Sequence, residues 1–555
     1  MKIGQQQRRQ SSSWLQKNLE WFAVLVIAFA VGLIIGSQEW RLAAGDLWSI
    51  PARIARSVSS SEELPTLAVD MNFTSYDDIL DQREEALREG VFLASGRDFV
   101  TATVRLDNAV TPIRIRLLEG PADHLGDEEK WGFEVHTRQN QRLFDMQRFY
   151  LLDPSINNWL NQWVFVQALE DEGILAARYR FVQLVLNGDH RGIYALEEGF
   201  GAELPMSQGR SAGVIVGFDA DLLWESIAHF HGEARTAYAD PIANLSANDF
   251  QYFEVDVSHA DDEDSSLAGQ RTQALNLLRA LQTGELKASE VFDAEQYGRF
   301  LALVDLWGGI QNTSLVNLHY YYDASAARLE PIGFNSNALG ADGRLSLTAA
   351  HDDPLIQAVY AQEALRLSQP AYLAQIRESL EPEFQRLQRT VDVEGGDIEP
   401  PWSKLQDRQR QIRHSLDPVQ PIFAHLGSPD LSMSGTLRVN VGNVLNLPVE
   451  VIGFDIDGAI FLPADRQYLQ NESDGLLISD AKGVVLRAFE VTPAPIVHYV
   501  HFDLPLAEIH RLDNELDFMQ EPEIRVVTRI FGLEATRSTL AQEGSPDILA
   551  TGANQ

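Results

Sequence analysis

Residues 178–198 read RYRFVQLVLNGDHRGIYALEE. Two runs of alternating apolar and polar residues flank Asn187-Gly188, the pair that suits a two-residue turn because both turn positions take positive φ. The stretch from Phe181 to Glu198 is therefore expected to be a β-hairpin. Upstream, residues 97–120 (RDFVTATVRLDNAVTPIRIRLLEG) alternate in the same way and close on Gly120, which predicts further strands. Trp131–Val135 and Leu143–Leu152 continue the series. Two helices are expected among these strands. One runs from Ser75 to Glu89, with a serine cap, early acids, a late arginine and Gly90 at its end; the other runs from Ile156 to Glu172.

The whole chain has 555 residues, 80 of them acidic against 44 basic, for a formal charge of −36. Apolar residues make up 45% and aromatics 9%, enough for a large core and two or more domains, which argues against a disordered chain. The acid surplus argues against a nucleic-acid partner, because a phosphate backbone would be repelled by most of the surface. Six lysines stand beside 38 arginines. The absence of cysteine excludes disulfides, thiolate metal sites, cysteine nucleophiles and iron–sulfur clusters.

Near the N-terminus, Trp21 to Gly36 reads WFAVLVIAFAVGLIIG without a charge. From Trp21 to Trp40 a helix would cover roughly 30 Å, the thickness of a bilayer core. Trp14, Trp21, Trp40 and Trp48 suit the interfaces, and Lys2, Arg8, Arg9 and Lys17 precede the span. The expectation is a cytoplasmic segment at 1–20, a single-pass transmembrane anchor at 21–40 and a linker at 41–64. The bulk of the chain would then lie outside the cytoplasm, periplasmic or at the cell surface. A cleaved signal peptide ending near Leu42–Gly45 and a buried core helix are the competing readings.

Residues 199–300 are polar and helical, with Asp261-Asp262-Glu263-Asp264 as a solvated loop. From about 430 the texture changes to short alternating runs, as in residues 435–463 (GTLRVNVGNVLNLPVEVIGFDIDGAIFLP), which predicts a β-sandwich over 430–543 and a tail at 544–555. No G-x-S-x-G, G-x-G-x-x-G, Walker loop or H-E-x-x-H occurs. His229 and His231 have no third ligand at standard spacing, and Asp455-Ile456-Asp457-Gly458 reads as a β-turn rather than a calcium loop.

Several segments share an order with one known family. Lys130-Trp131-Gly132-Phe133 resembles its K-x-S-F strand. Residues 143–149 (LFDMQRF) resemble its L-F-G-M-K-R-F run, followed by Leu152-Asp153-Pro154. Residues 178–182 and 186–198 resemble R-Y-x-F-V and L-N-G-x-x-x-G-x-Y-x-L-x-E. Residues 317–322 (NLHYYY) and 329–335 (LEPIGFN) resemble its H-N-x-x-Y-Y and P-I-x-F-D elements. Residues 65–425 thus resemble the CotH kinase family, similar to atypical secreted protein kinases.

The resemblance implies an α+β fold in which a two-lobed protein-kinase-like domain at 65–425 sits between the transmembrane helix and the C-terminal β-sandwich. It implies phosphorylation of an envelope or secreted protein, with ATP and Mg²⁺ or Mn²⁺. Phosphoryl transfer needs cations on the phosphates and carboxylates on the metal. Arg148 and Lys130 are the cations it implies, and Glu197 stands at a family glutamate. Asn317, Asn335 and Asn337 stand at or beside the metal positions, and Asn335, Gln311 and Asn312 at or beside the catalytic ones. Where the family has a metal-binding aspartate this chain has Asn335, Gln311 and Asn312 occupy the catalytic loop, and the nearest acid is Asp305 on the preceding helix. Gln147 replaces a lysine beside Arg148, and His136 stands where a basic residue is expected. Two readings follow: an ATP-dependent protein kinase, or a catalytically degenerate binding scaffold.

Overall fold

The structure, a computed structural model, describes residues 64–127, 129–219, 224–225, 254–256, 267–313, 317–340, 345, 353–395, 398–427, 435–469, 481–489, 497–505 and 523–544. The chain divides into two compact units, Met1–Glu63 with Gln385–Ile398, and Leu64–Phe384 with Glu399–Gln555. In the first, the described residues are the C-terminal part of a long helix and Ile398, whose carbonyl accepts from Gln388 Nε2 at 2.7 Å.

The second unit begins with β1 (Thr66–Asp70), α1 (Phe73–Glu89), β2 (Val91–Phe92), β3 (Val100–Leu106), β4 (Ala109–Leu117), β5 (Gly120–Pro121), β6 (Phe133–Thr137) and β7 (Arg148–Leu152). Then come α2 (Leu160–Asp171), β8 (Leu175–Ala176), β9 (Tyr179–Leu186) and β10 (Asp189–Glu198). Asn187 and Gly188, at φ of 49° and 90°, make the two-residue turn between β9 and β10. The helix predicted from Ser75 starts two residues earlier, because the Asn72 side chain caps it by accepting from Ser75 N–H at 2.9 Å.

In the order β1-β3-β4-β6-β7-β10-β9 these strands form a closed barrel, and β1 completes the ring by running parallel to β9. Period-2 alternation fills the interior: Ile113, Ile115, Phe133, Val135, Phe149, Leu151, Tyr194 and Leu196 pack into one cluster. Ile79 and Ala86 of α1 join it, so the barrel holds a packed core.

The chain continues through α3 (Glu203–Ser207), β11 (Ile215–Asp219), β12 (Glu254–Asp256), α4 (Ala268–Gln282), α5 (Ala288–Val291) and α6 (Ala294–Trp307). It then runs through β13 (His319–Asp323), β14 (Arg328–Gly333), α7 (Pro354–Leu367), α8 (Pro370–Gly395) and α9 (Trp402–Ser415). The sheet here has the order β12-β11-β13-β14-β8. A glycine inside a helix costs roughly 1 kcal/mol against alanine. Gly298 in α6 nevertheless sets the approach of α7, since a Cβ there would lie 2.7 Å from Val359 side-chain atoms. Gly298→Ala is therefore expected to destabilise the protein by about 1–3 kcal/mol despite its better helix propensity. Chemical denaturation measures this, and an unchanged or raised midpoint would show that the contact can give way.

The last part comprises β15 (Ile422–Leu426), β16 (Thr436–Asn443), β17 (Val449–Ile456), β18 (Ile460–Pro463), β19 (Val484–Leu486), β20 (Tyr499–Pro505), β21 (Ile524–Ile530), β22 (Thr536–Leu540) and β23 (Gln542–Glu543). One sheet has the order β20-β16-β15-β23; the other has β18-β17-β21-β22, with β19 added to β17. Val439, Val441, Phe454, Phe502 and Val526 from both sheets share one buried cluster. β15 precedes residue 430 yet pairs along its length with β16, so these sheets start earlier than the change in sequence texture suggests. Asp457 and Gly458, at φ of 52° and 68°, form the turn between β17 and β18.

Two expectations are corrected. The two-lobed protein-kinase-like domain is not what residues 65–425 form. Their N-terminal strands close into a seven-stranded barrel because β1 bonds to both β3 and β9, leaving no open sheet edge, and a separate five-stranded sheet with helices follows. The single-pass membrane protein is not upheld either: among the described residues no helix is long and apolar enough to cross a membrane. The stretch 21–40 lies outside the described residues, as do His229, His231 and Asp261–Asp264.

Candidate functional site

The strand alternation that sends Phe133, Val135, Phe149 and Leu151 inward turns Glu134, His136, Arg148 and Tyr150 to the outer face of the barrel. Register then lines up one row across five strands: Arg116 on β4, Glu134 on β6, Tyr150 on β7, Glu197 on β10 and Tyr179 on β9. Arg114, His136 and Arg148 form the next row. The chain leaving β14 lies on this face, with the Phe334 ring 5.6 Å from Tyr150 and the Asn335 N–H donating to Glu197 Oε1 at 3.0 Å.

The two carboxyl groups of the row have opposite environments. Glu134 is buried, which pushes its pKa up. The hydrogen bond from His136 at 2.7 Å and the charge of Arg116, whose guanidinium donates twice at 2.6 and 2.8 Å, outweigh burial and hold it at about 2. Glu197 is fully buried and has no cation partner among the described residues. Burial pushes it up to about 7, against the weaker pull of the Asn335 N–H and the Gln162 side chain. Its Oε2 has no hydrogen-bond partner among the described residues. Between the two, burial and then the charge of Glu134 raise the Tyr150 phenol well above its ordinary value.

Four of the residues singled out in the sequence meet here. Asn317 Nδ2 donates to the Gln311 carbonyl at 3.2 Å and to the Asn335 carbonyl at 3.4 Å, while Asn335 Nδ2 donates to Asn317 Oδ1 at 3.4 Å. With Glu197 they make a closed patch of polar groups without a cation among the described residues. Asn312 sits behind it, its Oδ1 accepting the Phe334 N–H at 3.0 Å. Arg148 is on the same barrel face, two residues from Tyr150, and its carbonyl accepts the Gly199 N–H at 2.9 Å.

The others are elsewhere. Lys130 Nζ donates to the Ile193 carbonyl at 3.0 Å, toward the far end of β10 from Glu197, with the Trp159 and Tyr194 rings within 6 Å. The Asn337 amide folds back over Gly340. Asp305 is buried in α6, accepting from the Tyr360 hydroxyl at 2.8 Å and the Leu345 N–H at 3.0 Å, so it holds helices together. Asn335, Asn337 and Leu339 all take left-handed φ of 46°, 46° and 58°, which puts local backbone strain on the segment lying against Glu197.

Sequence reasoning missed Gln162, Glu134, Arg116 and Tyr150. The period-2 spacing of Glu134 with His136 and of Arg148 with Tyr150 marks one face of each strand, but only pairing register brings the strands' polar faces into rows.

A divalent cation in the place the resemblance implies does not fit these residues. Hard cations are held best by charged oxygens, whereas this donor set is amides already bonded to one another and one carboxyl that burial pushes up to about 7. Among the described residues no group of three or more His, Asp or Glu is placed to hold a metal ion. The chain matches no protein-family model and no curated protein.

Proposed function

We propose that the chain is a CotH-like binding protein that does not transfer phosphate. The observation that supports this best is the amide patch. Asn317 and Asn335 bond to each other, and the Glu197 carboxyl buried beneath Asn335 is pushed up to about 7. Transferring a phosphoryl group without a metal carboxylate or a base forfeits several orders of magnitude in rate, because these groups act as a unit.

The test is incubation of the full chain with ATP and Mg²⁺ or Mn²⁺, alongside Asn335→Asp and Arg148→Ala. The expected result is no transfer in any of the three proteins and no metal-dependent rise in melting temperature. Metal-dependent transfer appearing in Asn335→Asp would overturn the binding-protein reading. A second reading, ATP-dependent phosphorylation, draws support from Arg148. It shares the barrel face with Glu197, and the charges of both bear on the Tyr150 phenol. A metal-dependent ATP shift in the parent that Arg148→Ala abolishes would favour it.

A further inference from the structure

A cavity of about 340 Å³ opens between the start of α8 and the length of α9, within the range of roughly 300–1,000 Å³ typical of small-molecule sites. Leu373 and Trp402 supply an apolar wall. Gln409 is fixed beside it, its amide donating to the Leu367 and Gln369 carbonyls at 2.8 and 2.9 Å. Three guanidinium groups line the same cavity: Arg377, Arg410 and Arg413. Arg377 lies over the Trp402 ring at 5.8 Å and pairs with Glu381 at 3.0 Å, Arg410 pairs with Asp407, and Arg413 donates to the Ser368 carbonyl. Trp402 is 95% buried, yet its indole N–H has no hydrogen-bond partner among the described residues.

Three guanidinium charges against the two carboxylates leave the cavity positive on a chain whose formal charge is −36. A surface this acidic repels anions at long range, so an anion is held only where cations are built together. Guanidinium forks match the oxygens of phosphate, and an indole wall with a leucine suits a flat apolar body. We propose that the α8–α9 cavity binds a small phosphate monoester with an aromatic or apolar body, the phosphate on Arg410 and Arg413 and the body against Trp402. This site uses none of the elements of the barrel face, and the inference does not depend on the function proposed for that face.

The experiment is calorimetric titration of the full chain with phenyl phosphate at low salt, with benzoate and inorganic phosphate as comparison probes. The expected result is one saturable site that weakens with added salt and binds each comparison probe at least tenfold more weakly. Arg410→Gln and Arg413→Gln should each weaken it about tenfold, the worth of one charge-assisted hydrogen bond. Arg413 also holds the Ser368 carbonyl; should its variant fail to fold, the exposed Arg410 decides the matter. Arg148→Ala should bind phenyl phosphate as the parent does. Absence of saturable heat at millimolar concentrations overturns the proposal, as does affinity unchanged in the Arg410→Gln protein. Heat lost only in Arg148→Ala also overturns it, because the anion would then sit on the barrel face.

Discussion

At pH 8 the Glu197→Gln protein is expected to be more stable than its parent by up to about 3 kcal/mol, and at pH 4 the two should agree closely. Glu197 titrates at about 7 in the folded chain and near the ordinary carboxylate value of 4.5 when unfolded. The folded state therefore binds its proton more tightly. Stability from this group is fully present below about 4.5 and is lost as pH rises through about 7, where the buried side chain must ionise without a cation. Glutamine keeps an oxygen that can accept the Asn335 N–H and carries no charge to bury. Its new NH₂ also adjoins Gln162, whose Oε1 has no partner among the described residues. Denaturant titrations of both proteins between pH 4 and 9 read the difference. A gap that does not change with pH would mean that Glu197 titrates alike in the folded and unfolded chain, and the effect of its burial would have to be abandoned.

The opposite sign is expected beyond Tyr150 in the same row. Arg116→Met should cost about 3–5 kcal/mol at pH 7, because it leaves the buried Glu134 carboxylate without its guanidinium. Glu134 titrates at about 2 when folded, so its contribution is present above about 4.5 and is lost as pH falls through about 2. The gap between parent and variant should narrow over that acid range. A double variant, Arg116→Met with Glu134→Leu, should recover much of the loss, since no carboxylate is then buried without its guanidinium, although His136 loses its partner. Equal costs for the single and double variants would show that packing, not charge, is what Arg116 supplies.

Local signals in the sequence carried much of the barrel. The Asn187-Gly188 turn and the alternation in β3, β4 and β10 depend on neighbours one or two residues away, and the strands lie where those signals put them. Closure was not legible, because the parallel pairing of Thr66–Val69 with Gln183–Leu186 leaves no trace in either segment's own pattern. The expected two-lobed kinase-like arrangement failed at that point. For the site, the resemblance picked out Glu197, Asn317, Asn335 and Gln311, which do meet. It also picked out Lys130, whose ammonium is spent on the Ile193 carbonyl, and Asn337, whose amide folds back on its own loop. Which polar side chains meet is decided by cross-strand register and loop path, and neither is written in spacing along one strand. The Glu134–Arg116 pair shows the same thing: its members are 18 residues apart, on strands whose pairing no single motif records.

The ring closure also sets a schedule for synthesis. The Met71 N–H donates to Asn187 Oδ1, a partner 116 residues further along. At roughly 5–20 residues per second, β1 must wait on the order of ten seconds after it is made before β9 exists to pair with it. For that interval the side of β1 that will meet β9 is an unpaired edge, and the inward faces of β3 and β4 lack the strands that will cover them. Nascent chains halted before residue 179 should therefore be the ones that chaperones hold and proteases cut.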